Sequence, residues 1–323
     1  MREAITHPEA LLEVLGLKAS DLGLPLAALR NFPMRVPRSY VARMQYQNPN
    51  DPLLLQVFPR VAEDLRSAGF VADPVGDLES VAANGLLHKY PGRALLITTG
   101  ACAVHCRYCF RREFPYTEQN ARASEWQAAL DVIRNDHSIE EVILSGGDPL
   151  SLSDEKLLAL SEQLDAIPHL KRLRIHSRQP IVLPERVNAE LLAWLGHGRL
   201  QRIMVLHCNH AQELDEPTRK AIAAIHASGV MLFNQAVLLR DINNSLQSQT
   251  ELCLQLVAAK VVPYYLHQLD RVRGAAHFEV SDIEALRLHK KLQDTLPGYM
   301  VPRLVREVAG DMSKRPLRDM TGI

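Results

Sequence analysis

Three cysteines within eight residues are the feature of this sequence that points most directly to chemistry. Cys102, Cys106 and Cys109 have the spacing CxxxCxxC and directly follow a short apolar run. A structural zinc site needs four closed ligands, and no fourth Cys or His follows at a finger-like distance. Three thiolates on a cubane iron-sulfur cluster leave one iron open, and an open iron can bind a small molecule. The spacing therefore favours an iron-sulfur cluster, with zinc, a redox thiol pair and coincidence as the alternatives.

A glycine-rich segment follows the next apolar run and has two interpretations. It begins with Ser145, Gly146, Gly147 and Asp148. One interpretation is a turn between a strand and a helix, with Asp148 capping the next helical turn. The other is a stretch of bare backbone that a ligand can approach closely and hydrogen-bond. Because the segment stands one structural unit after the cysteines, we favour the second interpretation.

Charged residues elsewhere in the chain could complete a binding site. Arg111 and Arg112 directly follow the cysteines, and a guanidinium fork suits bidentate binding of a carboxylate, although a solvated pair of charges is the plainer interpretation. Asp270 and Glu307 are ordinary surface carboxylates when taken alone, but in a cleft opposite an arginine they would bind an ammonium group. His207 is more often a hydrogen-bonded structural histidine than a ligand. The roles of all these residues depend on the fold.

An alternation of strands and helices is predicted from about residue 94 onward. Apolar, β-branched runs recur roughly every 30 residues, which is the length of one βα unit. This alternation predicts a parallel sheet with right-handed crossovers, and six units are too few to close an eight-fold barrel. The predicted strands are 94–98, 141–145, 172–176, 202–207, 230–235 and 262–268, and the predicted helices are 124–134, 154–164, 186–195, 217–227, 247–258 and 282–293.

We therefore predict an α/β fold built on an open, partial (β/α)6 barrel. The barrel occupies 86–280, a helical layer without assigned chemistry precedes it at 1–85, and a terminal segment follows at 281–323. Polar residues stand at the end of each predicted strand. Because the ends of parallel strands open onto one face, they predict a mouth that binds a polar ligand. In chain order these ends are the cysteine loop, 145–148, 176–178, 207–209, 234–235 and 268–270.

Composition sets the outer limits on function. Lys plus Arg and Asp plus Glu both total 37, so no global field favours nucleic acid or an anionic membrane. No uncharged apolar run reaches the length of about 18 residues that would span a bilayer. The N-terminus lacks the apolar core of a signal peptide, and the odd number of cysteines, five, argues against a disulfide framework. We expect a cytoplasmic protein that binds neither nucleic acid nor membrane.

A series of motifs together resembles one known family, the lysine 2,3-aminomutases. They occur in the same order and with closely similar spacing from about residue 85 to 314: KYPGRALLITTGACAVHCRYCFRR, ILSGGDPL, LHCNHAQE, NQAVLLRDIN, YYLHQLD and GYMVPRLVREVAGDMSK. The cysteine spacing, with Tyr108 before the last cysteine, resembles the radical S-adenosylmethionine (SAM) superfamily. The chain is similar to compact bacterial members that make (R)-β-lysine for modification of elongation factor P.

This resemblance implies three cofactors and a set of residues that bind them. A [4Fe-4S] cluster would bind SAM at its open iron, and pyridoxal 5'-phosphate (PLP) would be carried by Lys314. Lys89 and Glu307 depart from the family, which has an arginine and an aspartate there. The implied residues are Cys102, Cys106 and Cys109 for the cluster, Ser145, Gly146, Gly147, Asp148, His207 and Gln235 for SAM, Arg93 and Lys89 for the PLP phosphate, Arg111 for the substrate carboxylate, and Asp270 with Glu307 for the substrate ε-ammonium group.

By resemblance, the protein is an isomerase that converts L-α-lysine to (R)-β-lysine. An electron donor would reduce the cluster, SAM would be cleaved, and a radical shift would move the amino group while PLP carries the substrate. The product would pass to the lysyl ligase that modifies elongation factor P. The alternatives are a catabolic aminomutase, a radical SAM enzyme without PLP, and a non-enzymatic iron-sulfur sensor or zinc-binding adaptor.

Overall fold

The computed structural model describes residues 3–22, 32–116 and 126–320, and its central feature is a ten-stranded sheet in which the strands follow one another in chain order. The strands are β1 (Val81–Ala83), β2 (Leu86–Tyr90), β3 (Arg93–Thr99), β4 (Glu141–Gly146), β5 (Arg172–Ser177), β6 (Gln201–Leu206), β7 (Met231–Val237), β8 (Val262–His267), β9 (Arg303–Arg306) and β10 (Arg315–Pro316). Strands β3 to β9 pair in parallel, whereas β1, β2 and β10 pair antiparallel. Neither β1 nor β10 closes the sheet, so the prediction of an open α/β barrel is confirmed.

Helices lie close to where the periodicity predicts them. The helix predicted at 124–134 is seen from Trp126, and Ser124, its predicted cap, lies outside the described residues. No helix within the described ranges is both long and apolar enough to cross a membrane. The helices are α1 (Pro8–Leu15), α2 (Ala19–Leu22), α3 (Arg38–Val41), α4 (Pro52–Val57), α5 (Trp126–Asn135), α6 (Asp154–Asp165), α7 (Gln179–Val182), α8 (Ala189–Leu195), α9 (Glu216–Ala227), α10 (Leu246–Ala258) and α11 (Asp282–Thr295).

The outer strands β1, β2, β9 and β10 are absent from the sequence prediction. Strand β2 has the sequence LLHKY and β9 has RLVR, so both are short and partly polar and neither gives a long apolar run. The sheet continues beyond the predicted boundaries at 85 and 280, through β1 on one side and through β9 and β10 on the other. As a result, residues of β2 and residues next to β9 join the barrel interior.

Alternate side chains of the parallel strands face opposite sides of the sheet. In β5, Leu173 and Ile175 are fully buried in the main hydrophobic core, which includes residues of α5, α6, α8, α9 and α10. Arg174 and His176 alternate with them along the strand and line a cavity inside the barrel. This period-two pattern separates an apolar outer layer from a polar interior.

The N-terminal layer packs directly on the cysteine loop. Its own apolar cluster includes Leu53 and Phe58 and also takes in Ala103 and Val104 from that loop. Glu63 of the layer is fully buried and accepts from Arg107, also fully buried, at 2.8 and 2.6 Å. A buried carboxylate and guanidinium in this bidentate geometry satisfy each other's charge. The layer therefore holds the loop that carries the three cysteines.

The glycine-rich segment packs against the backbone of the cysteine loop. The backbone N–H of Gly147 donates to the Thr99 carbonyl at 2.7 Å, and that of Asp148 donates to Ala101 at 2.9 Å. A Cβ at Gly147 would lie 2.4 Å from the Ala101 oxygen, and a Cβ at Gly146 would lie 2.5 Å from the Thr99 oxygen. Gly146 also has a φ of +122°, which favours glycine. Two glycines are therefore required for the close approach of these loops.

We expect Gly147→Ala to separate the two loops and to lower the free energy of unfolding by about 1–3 kcal/mol, the usual cost of overpacking. Gly298→Ala is the matched control, because nothing lies within 4 Å of a Cβ built there. Urea unfolding followed by circular dichroism measures both. Equal midpoints for the two variants would show that the loop contact does not require glycine.

Candidate active site

A large cavity of about 890 Å³ occupies the barrel interior, and every site residue predicted from the sequence lines it. It extends from the cysteine loop, at the C-terminal ends of the strands, to Arg93 and Arg303 at the starts of β3 and β9. This volume is at the upper end of the range for small-molecule sites. The structure thus brings together residues that lie more than 200 positions apart in the chain.

Cys102, Cys106 and Cys109 are free thiols that line one part of this cavity. Burial, with Cys106 nearby, raises the pKa of Cys109 to about 11, and burial also raises the pKa of Cys102. Metal binding at these thiols would therefore displace protons. No three His, Cys, Asp or Glu side chains among the described residues are arranged to hold a single metal ion. Because a cubane cluster holds each cysteine on a different iron, its ligands need not converge on one point.

Asp148 connects the glycine-rich segment to the next strand end. Its buried carboxylate accepts from the Ser177 hydroxyl at 2.8 Å, from the Arg178 backbone N–H at 2.8 Å and from the Leu150 backbone N–H at 3.0 Å. Burial raises its pKa to about 6, although these donors lower it. The capping interpretation of the segment is thus seen directly. Gly146 and Gly147 also border the cavity, so the segment remains available to a ligand.

Histidines form the wall of the cavity between β5 and β8. The Nε2 atoms of His207 and Gln235 are 2.8 Å apart. Burial, with Arg178 and Arg111 nearby, lowers the pKa of His207 to about 3, so its ring is neutral and accepts from the amide. His176 lies in the predicted polar strand end 176–178 and His267 in the motif YYLHQLD, but sequence reasoning gave neither residue a role. In the described part of the chain, their buried Nε2 atoms have no hydrogen-bond partner, and both residues line the cavity.

Arg111 and Lys89 share one carboxylate, that of Asp77. Arg111 Nε donates to Asp77 Oδ2 at 2.7 Å, and Lys89 Nζ lies 2.5 Å from Asp77 Oδ1. Arg111 also donates from Nη1 to the Ser145 hydroxyl at 3.1 Å, while its Nη2 has no hydrogen-bond partner among the described residues. The two cations hold the pKa of Asp77 below its usual value despite burial. Sequence analysis missed Asp77 because no motif marks it, and it lies in the region to which no chemistry was assigned.

Arg112 and the lysine at the end of the chain have different surroundings. Arg112 donates to buried Glu63 at 2.8 Å, so it supports the cysteine loop. Lys314 Nζ contacts Glu307, whose other oxygen accepts from the Tyr90 hydroxyl. Lys314 and the Tyr90 donor help to hold the pKa of Glu307 below its usual value, against the effect of burial.

The pKa of Asp270 is raised above its usual value, whereas the pKa values of Asp77 and Glu307 are lowered. Burial raises the pKa of Asp270 to about 7, Lys314 partly opposes the rise, and Glu307 and Asp77 add to it. It is therefore half protonated near neutral pH. A cation brought close to Asp270 would favour its ionised form.

Comparisons with known proteins identify sequence relatives of this chain. The family model of the radical SAM superfamily matches residues 96–205. A protein of Escherichia coli strain K12 named L-lysine 2,3-aminomutase is 48% identical over 318 residues, which cover 98% of this chain and 93% of that one. A protein of the same name from Haemophilus influenzae is 44% identical, covering 97% of this chain and 93% of its own length. The solved structure of Streptococcus suis SuiB bound to S-adenosylmethionine is 17% identical, covers 68% of this chain and 48% of that one, and has a TM-score of 0.48.

Identity at this level extends over almost the entire length of both chains, well beyond the segment that carries the cysteines. The aligned region therefore includes the loop of Asp270, strand β9 and the segment of Lys314 as well as the cluster loop. This chain belongs to the lysine 2,3-aminomutase family of radical SAM isomerases, a family that implies a [4Fe-4S] cluster, SAM and PLP as cofactors.

Proposed function

We propose that this protein is a PLP-dependent enzyme that converts free L-α-lysine to (R)-β-lysine, moving the amino group from C2 to C3. One observation carries the proposal. The same cavity holds a three-cysteine loop, a lysine paired with a carboxylate, and a buried arginine with a free donor. These are the groups needed for a cluster, for a carrier of the migrating amino group, and for the ends of an amino acid.

The cluster and SAM would occupy the end of the cavity formed by the cysteine loop. Cys102, Cys106 and Cys109 supply three thiolate ligands, which leave one iron open. Gly146 and Gly147 present bare backbone there, and neutral His207 with Gln235 offers polar contacts for SAM. Since the glycine-rich segment is hydrogen-bonded to the cysteine loop, it would hold the ligand in a fixed relation to the cluster.

PLP would lie between Lys314 and the cationic residues at the start of the barrel. Arg93 lines the cavity and its guanidinium lies over the Tyr90 ring, 4.7 Å from the centroid, so its donors can reach a phosphate. Lys89 is largely neutralised by Asp77, which makes Arg93 the stronger candidate. The Nε2 atoms of His176 and His267 are buried without a hydrogen-bond partner among the described residues, and a polar cofactor bound in the cavity would supply one. When bound, the cofactors supply the radical and carry the amino group.

Residues of this chain would bind the two ends of lysine. Arg111 is preorganised by Asp77 and Ser145 and can donate to the α-carboxylate through Nη2. Glu307 now pairs with the Lys314 ammonium, and the substrate ε-ammonium group would replace it there, together with Asp270. A shorter neutral amino acid would leave these buried carboxylates without a cation, so the pocket would reject it.

The proposal predicts product formation only with all cofactors present. We would reconstitute the protein without oxygen using iron, sulfide and PLP, add SAM, a reductant and L-lysine, and measure β-lysine by chromatography. We expect Lys314→Ala to keep the cluster and SAM cleavage but to lose product formation by roughly 10³-fold, because the amino carrier is no longer held. Lys291→Ala, on the exposed face of α11, is the control and should match the wild type. Normal turnover by Lys314→Ala would contradict the PLP assignment.

The raised pKa of Asp270 predicts a pH dependence. Because its carboxylate is ionised only above a pKa of about 7, kcat/KM for lysine should fall about tenfold per pH unit below that value. The ε-ammonium of lysine stays charged throughout this range. Asp270→Asn should lower kcat/KM by roughly 10–100-fold and remove this limb of the profile. An unchanged acidic limb in Asp270→Asn would assign the titration to another group.

The destination of the product is the part of the proposal that the resemblance alone supports. β-Lysine would pass in the cytoplasm to the lysyl ligase that modifies elongation factor P. The intact mass of elongation factor P should show loss of the lysyl adduct when the gene for this protein is deleted. Added (R)-β-lysine should restore the adduct, whereas (S)-β-lysine should not. An adduct that persists after deletion would favour a catabolic role.

A further inference from the structure

Arg178 is a buried arginine whose donors converge on the cysteine loop. Only 5% of the residue is exposed, and it directly follows β5. Its Nη1 donates to the Cys106 sulfur at 2.7 Å and to the Tyr108 hydroxyl at 2.6 Å. Its Nη2 donates to Gln56 at 2.6 Å and to Glu213 at 3.0 Å. The contact with sulfur is thus part of a fixed fork.

The charge of Arg178 is balanced by one buried carboxylate. Glu213 is fully buried, and its Oε1 accepts from the backbone N–H groups of Asn209 at 3.0 Å and His210 at 3.1 Å. Glu213 contacts Nη2 of the guanidinium, whereas the Cys106 sulfur contacts Nη1. The guanidinium thus lies directly beside the sulfur, and the carboxylate is bound at its other terminal nitrogen.

A buried arginine of the cysteine loop, Arg107, is arranged differently from Arg178. Arg107 donates to Glu63 and to the Phe32 carbonyl, so its fork is used in holding the N-terminal layer. Among the described residues, Arg178 is the arginine whose side chain donates a hydrogen bond to a cysteine sulfur.

We infer that Arg178 is a positioning residue that raises the reduction potential of the iron-sulfur cluster by donating a hydrogen bond to the Cys106 thiolate. The inference rests on the proposed cluster and deepens it. Reduction adds one electron from the donor to the cluster and breaks no bond, so the reduced cluster carries one more negative charge. Hydrogen bonds to the sulfurs stabilise this more negative state and set the potential.

Two variants should shift the potential in opposite directions. Arg178→Met removes the donor and leaves Glu213 unpaired, so the ratio of reduced to oxidised cluster at a fixed potential should fall at least tenfold, equivalent to about 59 mV for one electron. Glu213→Gln leaves the guanidinium uncompensated and should raise the ratio. Arg202→Met removes a buried arginine at the start of β6, whereas the cysteine loop lies at the carboxyl ends of the strands. Arg202 is paired with Asp165 at 3.6 Å, and its replacement should leave the potential unchanged.

The experiment is a redox titration of the reconstituted proteins followed by electron paramagnetic resonance, with iron and sulfide counted beforehand. Opposite shifts in the two variants, with full iron content, support the inference. Shifts in the same direction, or no shift in either variant, would overturn the inference and would mean that Arg178 only stabilises the local structure. If Arg178→Met does not fold, the sign of the Glu213→Gln shift decides. A wild-type protein that binds no cluster would overturn the proposed function as well, and the iron count separates that result from a failure of the inference alone.

Discussion

Charge pairing inside the barrel is the constraint on which this site depends. A charge without a partner in a buried cavity is costly, and the paired charges here come from different elements of the fold. Asp77 lies between Arg111 and Lys89, Glu307 lies against Lys314, and Glu213 lies against Arg178. The pairs of Asp77 and Glu307 join the parallel barrel to a neighbouring segment, whereas the pair of Glu213 joins the loops that follow β5 and β6. The pairs therefore bring segments from both sides of the barrel to the site and also preorganise its donors.

These pairs also explain how the site can accept a charged substrate. Under the proposed function, lysine brings one carboxylate and one ammonium group. The carboxylate would meet Arg111, whose Nη2 has no hydrogen-bond partner among the described residues. Glu307 would exchange the Lys314 ammonium for the substrate ammonium without a net change of charge. Asp270, whose pKa is close to 7, is the group whose charge would respond to the arriving cation. At the ammonium end, binding would thus be an exchange of partners, which would keep the desolvation cost low.

The N-terminal layer supplies side chains that hold the arginines around the cavity. Gln56 contacts Arg178, Glu63 holds Arg107 and Arg112, and Asp77 orients Arg111. All three come from the region in which sequence analysis found no chemistry. Their contacts hold the loop that carries the cysteines, which is also hydrogen-bonded to the glycine-rich segment. The cysteine loop is therefore held by two elements that are distant from each other in sequence.

By itself, the sequence determined the class of fold and most of the residues around the cavity. Strand and helix periodicity are local properties, so the βα units could be located within a few residues, and the cysteine spacing is a local motif. The polar strand ends followed from the rule that parallel strands open onto one face. The short outer strands were not predictable, because four or five partly polar residues carry no distinct period.

Only the tertiary structure decided which charges meet. Asp77 carries no motif, and nothing in the strand end of Arg178 or in the motif of Glu213 indicates that these two residues pair; Arg111 lies 34 positions from Asp77, and Glu213 lies 35 positions from Arg178. A carboxylate in a loop has the same local sequence signal whether it meets water or an arginine. The burial that raises the pKa of Asp270 and lowers that of His207 likewise arises only when the strands assemble. Local sequence therefore specified the kinds of groups available, and the fold specified their pairing, because electrostatic partners are chosen by distance in space.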